Sequence, residues 1–177
     1  MENFMTYKEC LIESMDMLCK DNKTLFVGYN VKYGRANGTL VNVDEKKLIE
    51  TPVAENLMMG MSIGLSINGY KPVIYFERFD FILNAMDAMV NHLDKLKDIS
   101  NEEYDPKVII RVVIGGSKKP LFTGITHTQD FTEAIIKMVK FPVIKLENKE
   151  KINQYYTFAY NCNTSVMLIE ERDLYDT

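Results

Sequence analysis

The sequence predicts an α/β fold: a three-layer α/β/α domain built on a mostly parallel sheet of about six strands. Two observations carry that prediction. Short, continuously apolar runs alternate with amphipathic segments from one end of the chain to the other, as buried parallel strands and their covering helices do. A length of 177 residues with 46% apolar content also suits one hydrophobic core rather than several.

The elements follow in order. Apolar residues at helical spacing (Tyr7, Cys10, Leu11, Met15, Leu18) predict a helix over Thr6 to Lys20. Thr24-Leu25-Phe26-Val27-Gly28 then reads as a short buried strand closed by glycine. Asn30 to Lys47 contains Gly34, Asn37 and Gly38 and is too polar for a core element, so an irregular loop near a ligand is expected, followed by the short apolar edge Leu48-Ile49. Pro52 suits the first turn of the next helix, which ends at Asn68-Gly69. Its face of Leu57, Met58, Met61, Ile63, Gly64, Leu65 and Ile67 is expected to be buried, with Gly60 and Gly64 admitting a closely packed neighbour. Pro72 to Phe76 is a strand, Phe79 to Lys97 a helix, and Lys107 to Val113 a strand. A loop from Gly115 to Gln129 leads into a helix over Phe131 to Val139. Pro142 to Lys145, a helix over Lys149 to Tyr160, and Ser165 to Ile169 complete the alternation.

Charge and cysteine content narrow the function classes. Lys plus Arg number 21 against 25 Asp plus Glu, and with no basic run a nucleic-acid backbone is a poor partner. Cys10, Cys19 and Cys162 show neither zinc-site spacing nor disulfide density and read as reduced thiols. Met1 to Thr6 is acidic and carries no long apolar stretch, so no secretory signal or membrane anchor is expected and the location is read as cytoplasmic. No Gly-x-Gly-x-x-Gly or Gly-x-x-x-x-Gly-Lys-Ser/Thr sequence follows a predicted strand, which removes support for a nucleotide-binding module.

In a parallel sheet, ligands collect beyond the carboxyl ends of the strands. The loops expected there hold Asn30 to Gly38, Glu77 to Phe81 and Gly115 to Gln129, and Glu55 follows the Leu48-Ile49 edge onto the same rim. Glu55 is the leading candidate, an acid at the start of a helix whose remaining face is apolar. Burying a carboxylate without a partner favours its neutral form, which suits an acid that shares a proton with a ligand. A solvent-facing acid favoured by the helix dipole is the other reading. Phe79 and Phe81 are read either as core or as an aromatic wall, and His127 as a surface residue or as an imidazole at the site.

Taken together, these residues resemble the pyrimidine-binding domain of thiamine diphosphate-dependent enzymes, nearest to the beta subunit of 2-oxoacid dehydrogenases and more distantly transketolase. Thr51-Pro52, Glu55, Gly60, Gly64, Gly69 and Pro72 follow that family's spacing without a gap. Phe79-Asp80-Phe81 and Asp87-Ala88-Met89-Val90-Asn91 match its aromatic stretch and following helix. Gly115-Gly116 leading to His127-Thr128-Gln129 matches its later glycine loop and His-Ser-Gln.

The resemblance implies that Glu55 hydrogen-bonds a ring nitrogen of the aminopyrimidine of thiamine diphosphate and helps activate the thiazolium carbon. It implies that Phe81 stacks on the ring, that Asn84 adds a hydrogen bond, and that His127 faces the substrate carboxylate or the developing intermediate. Glu77 stands where the relatives are often apolar, making the pocket more polar or bridging to Arg78. No Gly-Asp-Gly with a downstream asparagine pair is present, so magnesium and the diphosphate are expected on a partner, an alpha-type diphosphate-binding subunit, with the site at the interface. The chain is thus read as a single pyrimidine-binding domain over residues 1–177, the small subunit of a split enzyme, a heterotetramer with self-association. That enzyme would decarboxylate a 2-oxo acid or transfer an acyl or ketol unit from a 2-oxo acid or ketose. The absence of a C-terminal domain disfavours a lipoyl complex. Some of the 11 methionines suit an interface, although Met58, Met59 and Met61 suit a core equally. A noncatalytic binding or regulatory domain of the same fold is the alternative.

Overall fold

In the computed structural model, residues 5–118 and 123–177 are described. The expectations for residues 1–4, and for 119–122 within the Gly115 to Gln129 loop, lie outside them. Six strands, all paired in parallel, form one sheet in the order β2-β1-β3-β4-β6-β5. In sequence they are β1 (Thr24–Gly28), β2 (Leu48–Glu50), β3 (Lys71–Phe76), β4 (Ile109–Ile114), β5 (Val143–Lys145) and β6 (Val166–Glu171). The helical segments include α1 (Tyr7–Cys19), the single turn α2 (Arg35–Gly38), α3 (Glu55–Ile67), the turn α4 (Leu96–Ile99), α5 (Thr132–Met138) and α6 (Ile152–Asn161). The α/β prediction and its strand count are borne out.

Alternation along the strands builds two cores, one on each face. Val73 and Tyr75 of β3, Ile109 and Val113 of β4, and Val166 and Leu168 of β6 pack against α1 and α6. The intervening Ile74, Phe76, Ile110, Val112, Met167 and Ile169 pack against α3, the segment from 79 to 93, and α5. At the start of α1, the Thr6 hydroxyl accepts from Glu9 N at 3.2 Å while the Glu9 carboxylate accepts from Thr6 N at 2.6 Å, a reciprocal cap that satisfies two otherwise free donors.

Five expectations are corrected. The helix predicted over Phe79 to Lys97 is a 3-10 segment (Phe79–Ala85) and then a π segment (Ala88–Leu93). The altered pitch lets Phe79, Ile82, Ala85, Ala88, Met89 and Leu93 all reach the core, which one regular α-helix would not do over that spacing. The loop from Asn30 to Lys47 is irregular but not excluded from the interior, since Val31, Ala36 and Leu40 are buried. Helix α3 begins at Glu55 rather than at Pro52, with Ala54 as its cap. Its buried face is Glu55, Met58, Met59, Ser62 and Ile63, while Leu57 and Ile67 are exposed. A side chain added at Gly60 or Gly64 would meet nothing within 4 Å, so neither glycine serves packing within this chain.

A charged network lies inside the core on the α1/α6 face. Arg111 and Glu170 are both 0% exposed and pair twice, Nε to Oε1 at 2.7 Å and Nη2 to Oε2 at 3.2 Å. The Tyr156 and Tyr175 hydroxyls donate to Glu170 at 2.7 and 2.6 Å, and Arg111 also donates to the Thr39 hydroxyl at 3.0 Å. Burial works against the Arg111 charge, but the Glu170 carboxylate outweighs it and keeps the guanidinium protonated.

Two predictions follow from that network. Removing one partner strands the other charge, so Arg111→Ala is expected to cost about 3–5 kcal/mol, read from urea unfolding. Burial and the nearby Glu170 charge raise the hydroxyl pKa of Tyr7, Tyr75, Tyr156 and Tyr175, whereas in the unfolded chain tyrosine ionises near pH ~10. These tyrosines therefore contribute their full stabilisation below pH ~10 and progressively less above it, so the urea midpoint should fall steeply on the alkaline side.

Candidate functional site

The carboxyl ends of β1 and β3 and the start of α3 enclose a cavity of about 230 Å³ lined by Tyr29, Val53, Glu55, Met58, Tyr75, Phe76, Glu77 and Phe81. Full small-molecule sites span ~300–1,000 Å³, so this one accommodates a single ring rather than an extended ligand. Its walls are aromatic and aliphatic, its polar groups two carboxylates and two tyrosines, and no lysine, arginine or histidine lines it.

Glu55 reaches the cavity because β2 ends just before α3 and delivers the acid to the helix's first turn, where unpaired backbone N–H groups and the dipole favour a carboxylate. It is 7% exposed. Its only side-chain partner among the described residues is Asn84, whose Nδ2 lies 3.4 Å from Oε2, at the outer limit of a hydrogen bond. Asn84 itself is exposed. Phe81 is half-buried and turns onto the cavity, whereas Phe79 is fully buried core. Both readings of that aromatic pair thus hold, one for each ring.

Glu77 follows β3 and lines the same cavity. One of its oxygens accepts from Asn30 Nδ2 at 3.3 Å. Asn30 is itself fixed, with a left-handed φ of 62° and its backbone N–H donating to Glu50 at 2.6 Å. The second Glu50 oxygen accepts from Lys32 N, also at 2.6 Å. The bridge between Glu77 and Arg78 considered from the sequence does not form through the carboxylate, since Arg78 Nη1 donates to the Glu77 backbone carbonyl.

His127 stands beside the cavity rather than in it. Its ring meets Phe81 edge to face at 5.3 Å between centroids, a favourable arrangement for aromatic rings. Two contacts fix its loop. Gln129 donates to Asp80 at 2.6 Å, and Gly115 lies so close that an added Cβ would sit 1.9 Å from the His127 carbonyl oxygen. The structure therefore brings Glu55, Glu77, Phe81 and Asn84 together, with His127 one aromatic ring away.

Residues the sequence reading missed are mostly apolar or remote in the chain. Tyr29, Val53 and Phe76 carry no signal of their own. Tyr75 is marked only by its polar hydroxyl in an apolar strand; it accepts from Asn37 Nδ2 at 2.8 Å, and the Arg111 guanidinium lies 5.2 Å from its ring centre. Asn37 belongs to α2, where Arg35, Ala36, Asn37 and Gly38 have φ of 51°, 48°, 58° and 78°. Such left-handed backbone costs roughly 1–2 kcal/mol per non-glycine residue. The turn persists because Thr39, held by Arg111, donates to the Ala36 carbonyl at 2.7 Å, and Leu40 N donates to the Arg35 carbonyl at 2.9 Å.

Comparison with known proteins gives relatives over most of the chain. The beta subunit of the pyruvate dehydrogenase E1 component is 28% identical over 134 residues in Saccharomyces cerevisiae, covering 72% of this chain and 36% of that protein. In Rickettsia conorii it is 23% identical over 177 residues, covering 97% of this chain and 53% of that one. The chain thus spans about half or less of the length of these curated relatives. No family model matches. Among solved structures, a split-gene transketolase in an inactive beta4 tetramer superposes with a TM-score of 0.74 at 15% identity, covering 95% of this chain and 52% of that one. A Mycobacterium smegmatis protein described as a thiamin diphosphate-dependent enzyme gives 0.68 at 15% identity, covering 98% and 32%. The fold is that of transketolase-like thiamine diphosphate enzymes, and the resemblance read from the Glu55 block extends over most of the sequence.

The tight approach of Gly115 gives a local test. Gly115→Ala is expected to push the His127 backbone away and cost about 1–3 kcal/mol. In NMR spectra the signals of His127 and Phe81 should shift, while those of Met58 on the far wall stay in place.

Proposed function

We propose that this relative of pyruvate dehydrogenase E1 beta subunits is the pyrimidine-binding subunit of a thiamine diphosphate-dependent enzyme that decarboxylates a 2-oxo acid or transfers an acyl or ketol unit. The observation that carries the proposal is the Glu55 carboxylate, 7% exposed, set in a ring-sized cavity with Phe81 on its wall.

The donor set suits one part of the cofactor. A heteroaromatic ring fits aromatic walls and a carboxylate acceptor, whereas a diphosphate calls for cations or a helix N-terminus open to it, and the cavity lining has no basic side chain. No group of three or more His, Cys, Asp or Glu placed to hold a metal occurs among the described residues. We therefore assign magnesium and the diphosphate to an alpha-type partner subunit that completes the site. When bound, thiamine diphosphate supplies a thiazolium that serves as electron sink for the substrate carbonyl.

Glu55 accepts and shares the proton of the ring nitrogen, and Asn84 orients its carboxylate. Phe81 stacks on the ring, a contact worth about 0.5–1.5 kcal/mol beyond burial, and Glu77 contacts the ring from the same cavity. His127, against Phe81, holds or transfers a proton at the mouth, where a substrate carboxylate or its reaction product sits. Helix α3 offers a surface for assembly as a heterotetramer with self-association. Gly60 and Gly64 face open space there, flanked by exposed Leu57 and Ile67, so another backbone can approach closely. Met58 and Met59 are core residues and contribute nothing to that surface. No helix among the described residues is long and apolar enough to cross a membrane.

Glu55→Ala in the complex reconstituted with the diphosphate-binding subunit is expected to lower turnover by at least ~100-fold, the scale of a lost acid–base group, with assembly intact by gel filtration. Near-normal turnover would reject the proposal. A complex that assembles but binds no thiamine diphosphate in the presence of magnesium would instead favour a noncatalytic domain of the same fold.

A further inference from the structure

The cavity holds two acids where a ring nitrogen needs one. Glu55 enters from the first turn of α3 and Glu77 from the end of β3, and both line the same space. Each has a single weak amide partner, Asn84 at 3.4 Å and Asn30 at 3.3 Å, leaving the second oxygen of each carboxylate without a protein donor among the described residues. Neither takes part in a salt bridge among those residues. The nearest cation in sequence, Arg78, spends Nη1 on the Glu77 carbonyl at 2.6 Å. Glu77 is not a loose surface acid either, because Asn30, anchored through its backbone to Glu50, holds its side chain.

Two carboxylates face one small, largely apolar space. No cation of this chain among the described residues lines it, so a positive charge there comes with the ligand. A flat ring with donors on two edges, carrying a positive charge, satisfies both free oxygens at once; a neutral ring satisfies one and leaves the other carboxylate desolvated. We infer that Glu77 is a second ring-binding carboxylate that makes the cavity selective for a cationic, amidine-like heteroaromatic ring over its neutral counterpart. This deepens the proposed ring site by assigning Glu77 the selection of the ring's charge state, separately from the proton sharing at Glu55. Glu77 acts as a specificity-determining residue, and its carboxylate accepts from an exocyclic amino group while Glu55 serves the ring nitrogen.

The test uses benzamidinium, a flat monocation, and benzamide, its neutral counterpart of nearly the same shape, titrated into the full chain by protein-observed NMR at pH ~8, where amidines stay charged and carboxylates ionised. The wild-type chain is expected to bind benzamidinium at least about tenfold more tightly than benzamide. Glu77→Gln, which keeps the shape and the Asn30 contact, should reduce that preference about tenfold, the factor carried by one charge-assisted hydrogen bond. Equal affinity for the two probes, failure of the wild type to bind benzamidinium, or a preference that survives Glu77→Gln would overturn the inference. Since neither probe is a cofactor, that result leaves the Glu55 proposal standing on turnover of the reconstituted complex. Loss of turnover dependence on Glu55 would conversely leave the charge selection intact.

Discussion

A fully buried ion pair at the centre of the sheet, Arg111 of β4 with Glu170 of β6, fixes more of this structure than any other contact. Burying two charges is costly, and the pair is tolerable because its geometry is bidentate and further hydrogen bonds support it, although Arg111 Nη1 has no partner among the described residues. Tyr156 of α6 and Tyr175, five positions beyond Glu170, donate to its carboxylate, and Arg111 extends to Thr39. Helix layer, chain end and loop are thereby tied to one point in the sheet.

The same point governs the cavity. Thr39 caps the left-handed turn of α2, Asn37 from that turn donates to Tyr75, and Tyr75 forms cavity wall under the Arg111 guanidinium. Gly28 allows this closeness, since a Cβ there would lie 2.6 Å from the Tyr75 carbonyl oxygen. Strain in the turn is thus held by a rigid interior network, the arrangement expected where backbone geometry serves a binding site. Glu55 and Phe81 then share a cavity whose other walls include Tyr75.

Much of the architecture was legible in the residues, because parallel strands buried on both faces leave continuous apolar runs such as Val73 to Phe76 and Val108 to Ile110. Glu55, Phe81 and Glu77 were legible for a related reason: strand ends in such a sheet deliver their loops to one rim. The pitch of the segment from 79 to 93 was not, since Ile82, Leu83, Met86, Met89, Val90 and Leu93 also fit the spacing of an α-helix. Nor was the exposure of Gly60 and Gly64, because a small residue reads alike whether its neighbour lies in the same chain or elsewhere. Tyr29 and Val53 became cavity residues only through tertiary proximity. The pairing of Arg111 with Glu170, 59 positions apart, had no local signature beyond a charge within each apolar strand.

The account rests on a heteroaromatic ring entering the cavity between Phe81 and the start of α3. A crystal structure of this chain with the diphosphate-binding partner proposed for it, thiamine diphosphate and magnesium tests that most directly. The aminopyrimidine is expected inside the Glu55 cavity, with a ring nitrogen within hydrogen-bonding distance of the Glu55 carboxylate and its face against Phe81. A cofactor ring seated elsewhere, with the cavity filled only by solvent, would contradict it.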